Sequence, residues 1–184
     1  MATLAERMVG AARLDAGTYE EVEADTGATG QAALVVIISS ICLAIGARLG
    51  AGPLGLVMMS VFRLIGWYVW ALVTYLIGAR LMPTAQTRAD VGQLLRTLGF
   101  ASTPGVLAIF AVIPGLGSAI NVVVGIWMLV AMVIAVRQVL DYESTGRAVG
   151  VVVIGFVIYL ALAALAGIVI TGLGGAPAPA PVTP

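Results

Sequence analysis

The side chains able to do chemistry in this sequence are few and poorly assorted. Histidine is absent, which removes the commonest general base and the commonest metal ligand. The single cysteine, Cys42, sits in an apolar run, has no partner for an internal disulfide and has no zinc-type spacing to a second ligand. It reads as a small buried apolar side chain. No GxxxxGK phosphate loop occurs. None of the nine acidic residues lies inside a long apolar run, so no intramembrane carboxylate pair offers a proton relay or a cation site. The sequence therefore predicts a protein that is not an enzyme, with no catalytic residue, no cofactor and no metal. Ser118 and Asn121 are expected to cap or bridge helices, and Trp127 to pack.

What remains is recognition by charge. Glu20, Glu21, Glu23 and Asp25 crowd into the stretch YEEVEAD, which reads as a solvated helix face or as a docking surface for loop arginines. With Arg88, Arg96, Asp141, Glu143 and Arg147 they make up a predicted interaction face. Net charge is zero and no basic patch stands out, so nucleic acid is not an expected partner. Membrane lipids are expected partners, together with other membrane proteins or further copies of the chain.

The elements that must hold these residues are greasy. Of 184 residues, 61% are hydrophobic and 10% charged. Soluble domains are nearer about 45–50% apolar and about 25% charged, so the long apolar runs read as membrane spans. The predicted fold is all-α, a polytopic bundle of five transmembrane helices over residues 31–171. The spans are placed at about 31–47, 64–82, 94–113, 119–136 and 148–171. Residues 1–30 form a weakly amphipathic lead-in, with Leu4, Met8 and Ala11 near helical spacing and Glu6, Arg7 and Arg13 elsewhere. Thr18 and Glu21 have capping-box spacing, as do Thr87 and Asp90, and each pair is expected to start a helix. Span 3 is expected to bend near Pro104. The Pro/Ala-rich tail, 172–184, is expected to be disordered. No signal peptide is visible, so the first span is expected to insert the chain.

Arginine supplies all nine positive charges. On a five-span model Arg7, Arg13, Arg80, Arg88, Arg96, Arg137 and Arg147 share one side, and Arg48 and Arg63 lie on the other. Positive residues in short loops stay in the cytoplasm, so the N-terminus is expected there and the C-terminus outside. Arg63 then marks the outer boundary of span 2, which begins at Leu64 after an interfacial segment. A charge at mid-bilayer costs about 2.5–3.5 kcal/mol and would have no carboxylate partner here.

The segments LLRTLGFASTPGVLAIFAVIPGLG, IWMLVAMVIAVRQVL and STGRAVGVVVIGFV resemble the bacterial branch of the Yip1 family. RMVGAARLDAGTYEEVEADTGATGQAALVV resembles its lead-in and GWYVWALVTYLIG its second span. The resemblance implies five membrane helices with a cytoplasmic N-terminus, in the inner membrane of a bacterium. Eukaryotic members act in vesicle traffic between the endoplasmic reticulum and the Golgi with Rab-type GTPases. Their acidic DLYGP-type motif is absent here, so fold and topology carry over and no binding residue does. The function expected is non-enzymatic membrane organisation or a trafficking-like role through protein or lipid contacts. The alternative is a small transporter or channel for lipid or an uncharged solute.

Overall fold

The computed structural model describes residues 2–48, 50 and 52–173, with side chains as far as 169; the expected disordered tail falls almost wholly outside them. Two short helices, α1 (Leu4–Ala12) and α2 (Ala16–Ala24), turn back on each other through Leu14, whose φ is +63°. A 3-10 turn (Thr26–Ala28) leads into α3 (Thr29–Gly46). Then come α4 (Gly52–Tyr75), ending in a π turn (Leu76–Leu81), and α5 (Val91–Phe100), which passes into a 3-10 segment (Thr103–Val112). Two long helices, α6 (Gly117–Val139) and α7 (Thr145–Leu173), complete the chain. Five stretches are long and apolar enough to cross a membrane: Thr26–Gly46, Gly52–Leu81, Val91–Val112, Gly117–Val139 and Thr145–Val169.

The third of these is the centre of the bundle. It is 67% buried, against 17–22% for the second, fourth and fifth. It lies between α3 and α6, with α4 against α3 and α5, and α7 against α6 and α4. Small residues permit this close packing. A Cβ built on Gly46 would stand 2.0 Å from the Ala108 carbonyl oxygen, and one on Gly99 would stand 2.7 Å from the Ala32 Cβ. The remaining surface is oily: Val57, Phe62, Ile65, Val122, Ile126, Val157 and Leu165 are all exposed. Water penalises such a surface and lipid tails do not.

Pro104 acts differently from the expected bend. The α-helix stops at Phe100, and the chain continues as ten residues of 3-10 helix with the proline in its first turn. Proline cannot donate to the Phe100 carbonyl and its ring would crowd it. The Thr103 hydroxyl donates to that carbonyl instead, at 2.6 Å, and the Ser102 hydroxyl donates to Leu98 at 3.3 Å. The carbonyls at the end of α5 are thus satisfied by the residues that end it.

Span 2 also differs. The segment expected to be interfacial, before Leu64, is continuous with the span, and one helical run of 30 residues extends from Gly52 to Leu81. Pro53 occupies the first turn, where its missing N–H costs nothing, and no proline follows until Pro83. Arg63 is exposed on this helix, 17 residues (80 − 63) before Arg80, a rise of about 25 Å. That separation lets both guanidinium groups reach the edges of a hydrocarbon layer about 30 Å thick.

The π turn has a structural use. Met82 N–H donates to Ile77, five residues back, so the Gly78 carbonyl is released from the helix. The Tyr142 hydroxyl meets the freed Gly78 oxygen at 2.9 Å and the Met82 oxygen at 2.8 Å. The same five-residue register sets Arg80 beside Tyr75, whose hydroxyl accepts from Nε at 3.0 Å.

Candidate functional site: a charged cleft beneath the helical hairpin

The α1–α2 hairpin is braced from within. Thr3 and Glu6 form a capping box that starts α1, and Asp15 caps α2 by accepting from the Thr18 amide and hydroxyl. The expected start at Thr18 therefore moves three residues earlier, because an acid at Asp15 outcompetes a hydroxyl as acceptor. Arg7 is 2% exposed. It donates to Glu21 through Nε (3.4 Å) and Nη2 (3.0 Å), to Asp25 (2.6 Å) and to Gln31 at the start of α3 (3.0 Å). These are charge-assisted bonds in a fork, the strong kind. The Tyr19 hydroxyl donates to the Ala11 carbonyl inside the hairpin.

The hairpin docks on the bundle through other donors. Trp127 of α6 gives its indole N–H to the carbonyl of Ala12, the last residue of α1 (2.8 Å). Arg96 of α5 is 6% exposed and gives its guanidinium to the carbonyls of Val22 and Glu23, in the last turn of α2. Both helix C-termini carry free carbonyls and partial negative charge, and the bundle supplies the donor for each. Gln93 Nε2 reaches the Glu23 carboxylate and Gln138 Nε2 the Glu20 carboxylate, each at 3.0 Å. Tyr19, Val22 and Leu94 fill the apolar part of the contact.

Beside this junction opens a cleft of about 810 Å³. The hairpin forms one wall with Glu20, Glu23 and Ala24; the loop before α5 supplies Gln86 and Arg88; and the end of α6 with its following loop supplies Gln138, Asp141 and Glu143. Asp141 is turned into position by a left-handed φ of +52°. Arg137 holds that loop by donating to the carbonyls of Tyr142 and Glu143 and to the Thr145 hydroxyl. Burial pushes the Glu23 carboxyl up to about 7, and Asp141, Glu20 and Asp90 add to the rise against the opposing pull of Arg96.

Of the nine residues in the predicted interaction face, five line this cleft: Glu20, Glu23, Arg88, Asp141 and Glu143. Glu21 and Asp25 lie behind it, paired with Arg7. Arg96 is turned into the protein as the cap of α2. Arg147 lies over the Tyr142 ring, with its guanidinium 5.9 Å from the ring centre, and donates to the Pro83 carbonyl. Sequence reading passed over the roles of Arg7, Gln93 and Gln138, and it expected Trp127 only to pack, whereas its indole N–H also holds the end of α1. Arg7 carried a signal: with Leu4 and Ala11 it lies at i, i+3 and i+7, on the inward stripe of α1. At the opposite end of the bundle Arg48, Ser118 and Asn121 line a second pocket of about 460 Å³.

A bundle of five long apolar helices with a polar hairpin folded onto one end is a multi-pass membrane protein. The chain belongs to the Yip1 domain family, whose model matches residues 16–165, from the first residue of α2 well into α7. No curated protein and no solved structure matches it.

Proposed function

We propose that the protein is a non-enzymatic organiser of a bacterial inner membrane, with a trafficking-like role exerted through the charged cleft on its hairpin end. That end is cytoplasmic and the C-terminus lies outside; the distribution of arginine, seven residues against two, supports this orientation. The partners are other membrane proteins or further copies of the chain, with lipid around the apolar flanks. The observation that carries the reading is the cleft itself. It gathers charges from three separate parts of the sequence, and neither Arg88 nor the carboxylate of Asp141 or Glu143 is tied into an ion pair among the described residues. Unspent charge around a concave surface steers and selects partners more than it stabilises the fold.

The test places a photo-crosslinking residue at Gln86, on the cleft wall, in the full chain at native expression. A variant carrying Glu20→Gln, Arg88→Gln, Asp141→Asn and Glu143→Gln is compared beside it. Crosslinked species should fall several-fold in the variant at equal membrane abundance. Undiminished capture by the variant overturns the reading.

A further inference from the structure

We propose that the α1–α2 hairpin is a proton-controlled latch, closed on α5 and α6 when Glu23 is protonated and released when Glu23 ionises. The geometry first shows a body that can move as a unit. Arg7 binds Glu21, and Tyr19 binds Ala11, both within the hairpin, so its two helices stay together when it leaves the bundle. The contacts that dock it are of another kind. They are Trp127 to Ala12, Arg96 to the Val22 and Glu23 carbonyls, Gln93 to Glu23 and Gln138 to Glu20, around the apolar contact of Tyr19 and Val22 with Leu94 that release exposes. No ion pair crosses the junction among the described residues, and water can replace each of these donors. Between the hairpin and α3 the chain passes through Asp25, whose backbone is extended, and the 3-10 turn with Gly27. Among the described residues Arg7 alone reaches across from the hairpin, to Asp25 within the hinge and to Gln31 beyond it.

Docking also creates a repulsion that release removes. Glu23 belongs to the hairpin and faces Asp141 beyond α6, Asp90 at the start of α5 and Arg96 within α5, with Glu20 on its own helix, and Arg88, Arg137 and Glu143 line the same cleft. The N–H groups of Arg96 that bond the hairpin go to main-chain carbonyls, and among the described residues the neutral Gln93 is the one donor on the Glu23 carboxylate. An ionised Glu23 is therefore penalised first by its half-buried place and then by the acidic groups around it, which outnumber the arginines. Its carboxyl sits at about 7 when docked, against an ordinary value of 4.5. Because the docked value is the higher one, the docked state binds the extra proton. The proton's contribution to closure is fully present below pH 4.5 and is lost as pH rises through about 7. The latch would open one wall of the cleft. Its use rests on the role proposed for that cleft, but its motion does not, and an experiment without any partner separates the two.

Hydrogen exchange of the full chain in lipid nanodiscs, followed for residues 4–24 from pH 5 to 8 and corrected for intrinsic rates, reads the opening equilibrium. It should rise several-fold between pH 5 and 7 and level off above 7. Glu23→Gln, close in shape to the protonated acid, should flatten the profile at the closed level. Asp141→Asn, on an exposed loop where it cannot unfold the bundle, should move the midpoint to lower pH. A flat profile in the unmodified protein, or the same slope in Glu23→Gln, overturns the latch.

Discussion

Two arginines of similar burial do different work. Arg96 caps α2, and replacing it by Met strands the Val22 and Glu23 carbonyls in a buried place. The expected cost is about 2–3 kcal/mol in reversible unfolding from mixed micelles, whereas the exposed Arg13→Met should stay within about 0.5 kcal/mol. Arg7 acts on acid stability. Its hydrogen bond, outweighing burial, holds the Asp25 carboxyl below its usual value of 3.8. A lowered value contributes stability that is present above pH 3.8 and lost as pH falls through it. Arg7→Met should therefore make unfolding below pH 4 less steep, as followed by circular dichroism. The sequence reading assigned Arg96 to an interaction face, and on α5 it lies away from the stripe of Val91, Leu94, Leu95 and Leu98. Periodicity cannot say that a second helix, α2, will lie over that polar side. Glu20, Glu23, Asp141 and Glu143 were more legible, because carboxylates outside apolar runs must stay near water.

At the scale of elements, the central 3-10 segment depends on the absence of side chains beside it. Gly46→Ala must push the Ala108 carbonyl aside and should cost about 1–3 kcal/mol. Gly125→Ala, on α6 with nothing within 4 Å of its added carbon, should be neutral or stabilising by up to about 1 kcal/mol. The same unfolding assay compares them, and equal effects would mean that the close approach is unimportant. Span positions were readable from hydropathy to within about five residues, except for the start of the second, which lies twelve residues earlier at Gly52, since 20 or so apolar residues have one destination. Helix starts were harder to read. Asp15 displaced Thr18 as the cap of α2. Asp90 did cap α5, but its box partner is Gln93, while Thr87 turned to Thr84 and the Leu140 carbonyl. Capping spacing recurs by chance wherever Ser, Thr, Asp and Glu are common, and the winner is the acceptor that best faces the free amides. Pro104 announced a disturbance but not its length, because ten residues of 3-10 helix are set by α3 and α6 on either side.

For the whole molecule, an odd number of crossings puts the two ends in different compartments. Alkaline phosphatase fused after residue 184 should be active, and the same reporter ahead of residue 2 inactive, with a cytoplasm-dependent fluorescent protein giving the reverse. Both ends reporting alike would remove the orientation. Composition alone carried the architecture this far, and what it could not convey was the return of the first 24 residues onto α5 and α6. That return depends on contacts such as Trp127 to Ala12 and Gln138 to Glu20, which join positions more than a hundred residues apart.

The π turn at the end of the second span behaves like a dropped stitch: one surplus residue whose slack is taken up by Tyr142. Length and identity should then be tied across the family. Chains one residue shorter between Tyr75 and Pro83 would close this turn into ordinary α-helix, restore Gly78 to its own ladder, and relieve position 142 of any need for a phenol. Inheritance of the surplus residue and inheritance of the tyrosine would travel as one character.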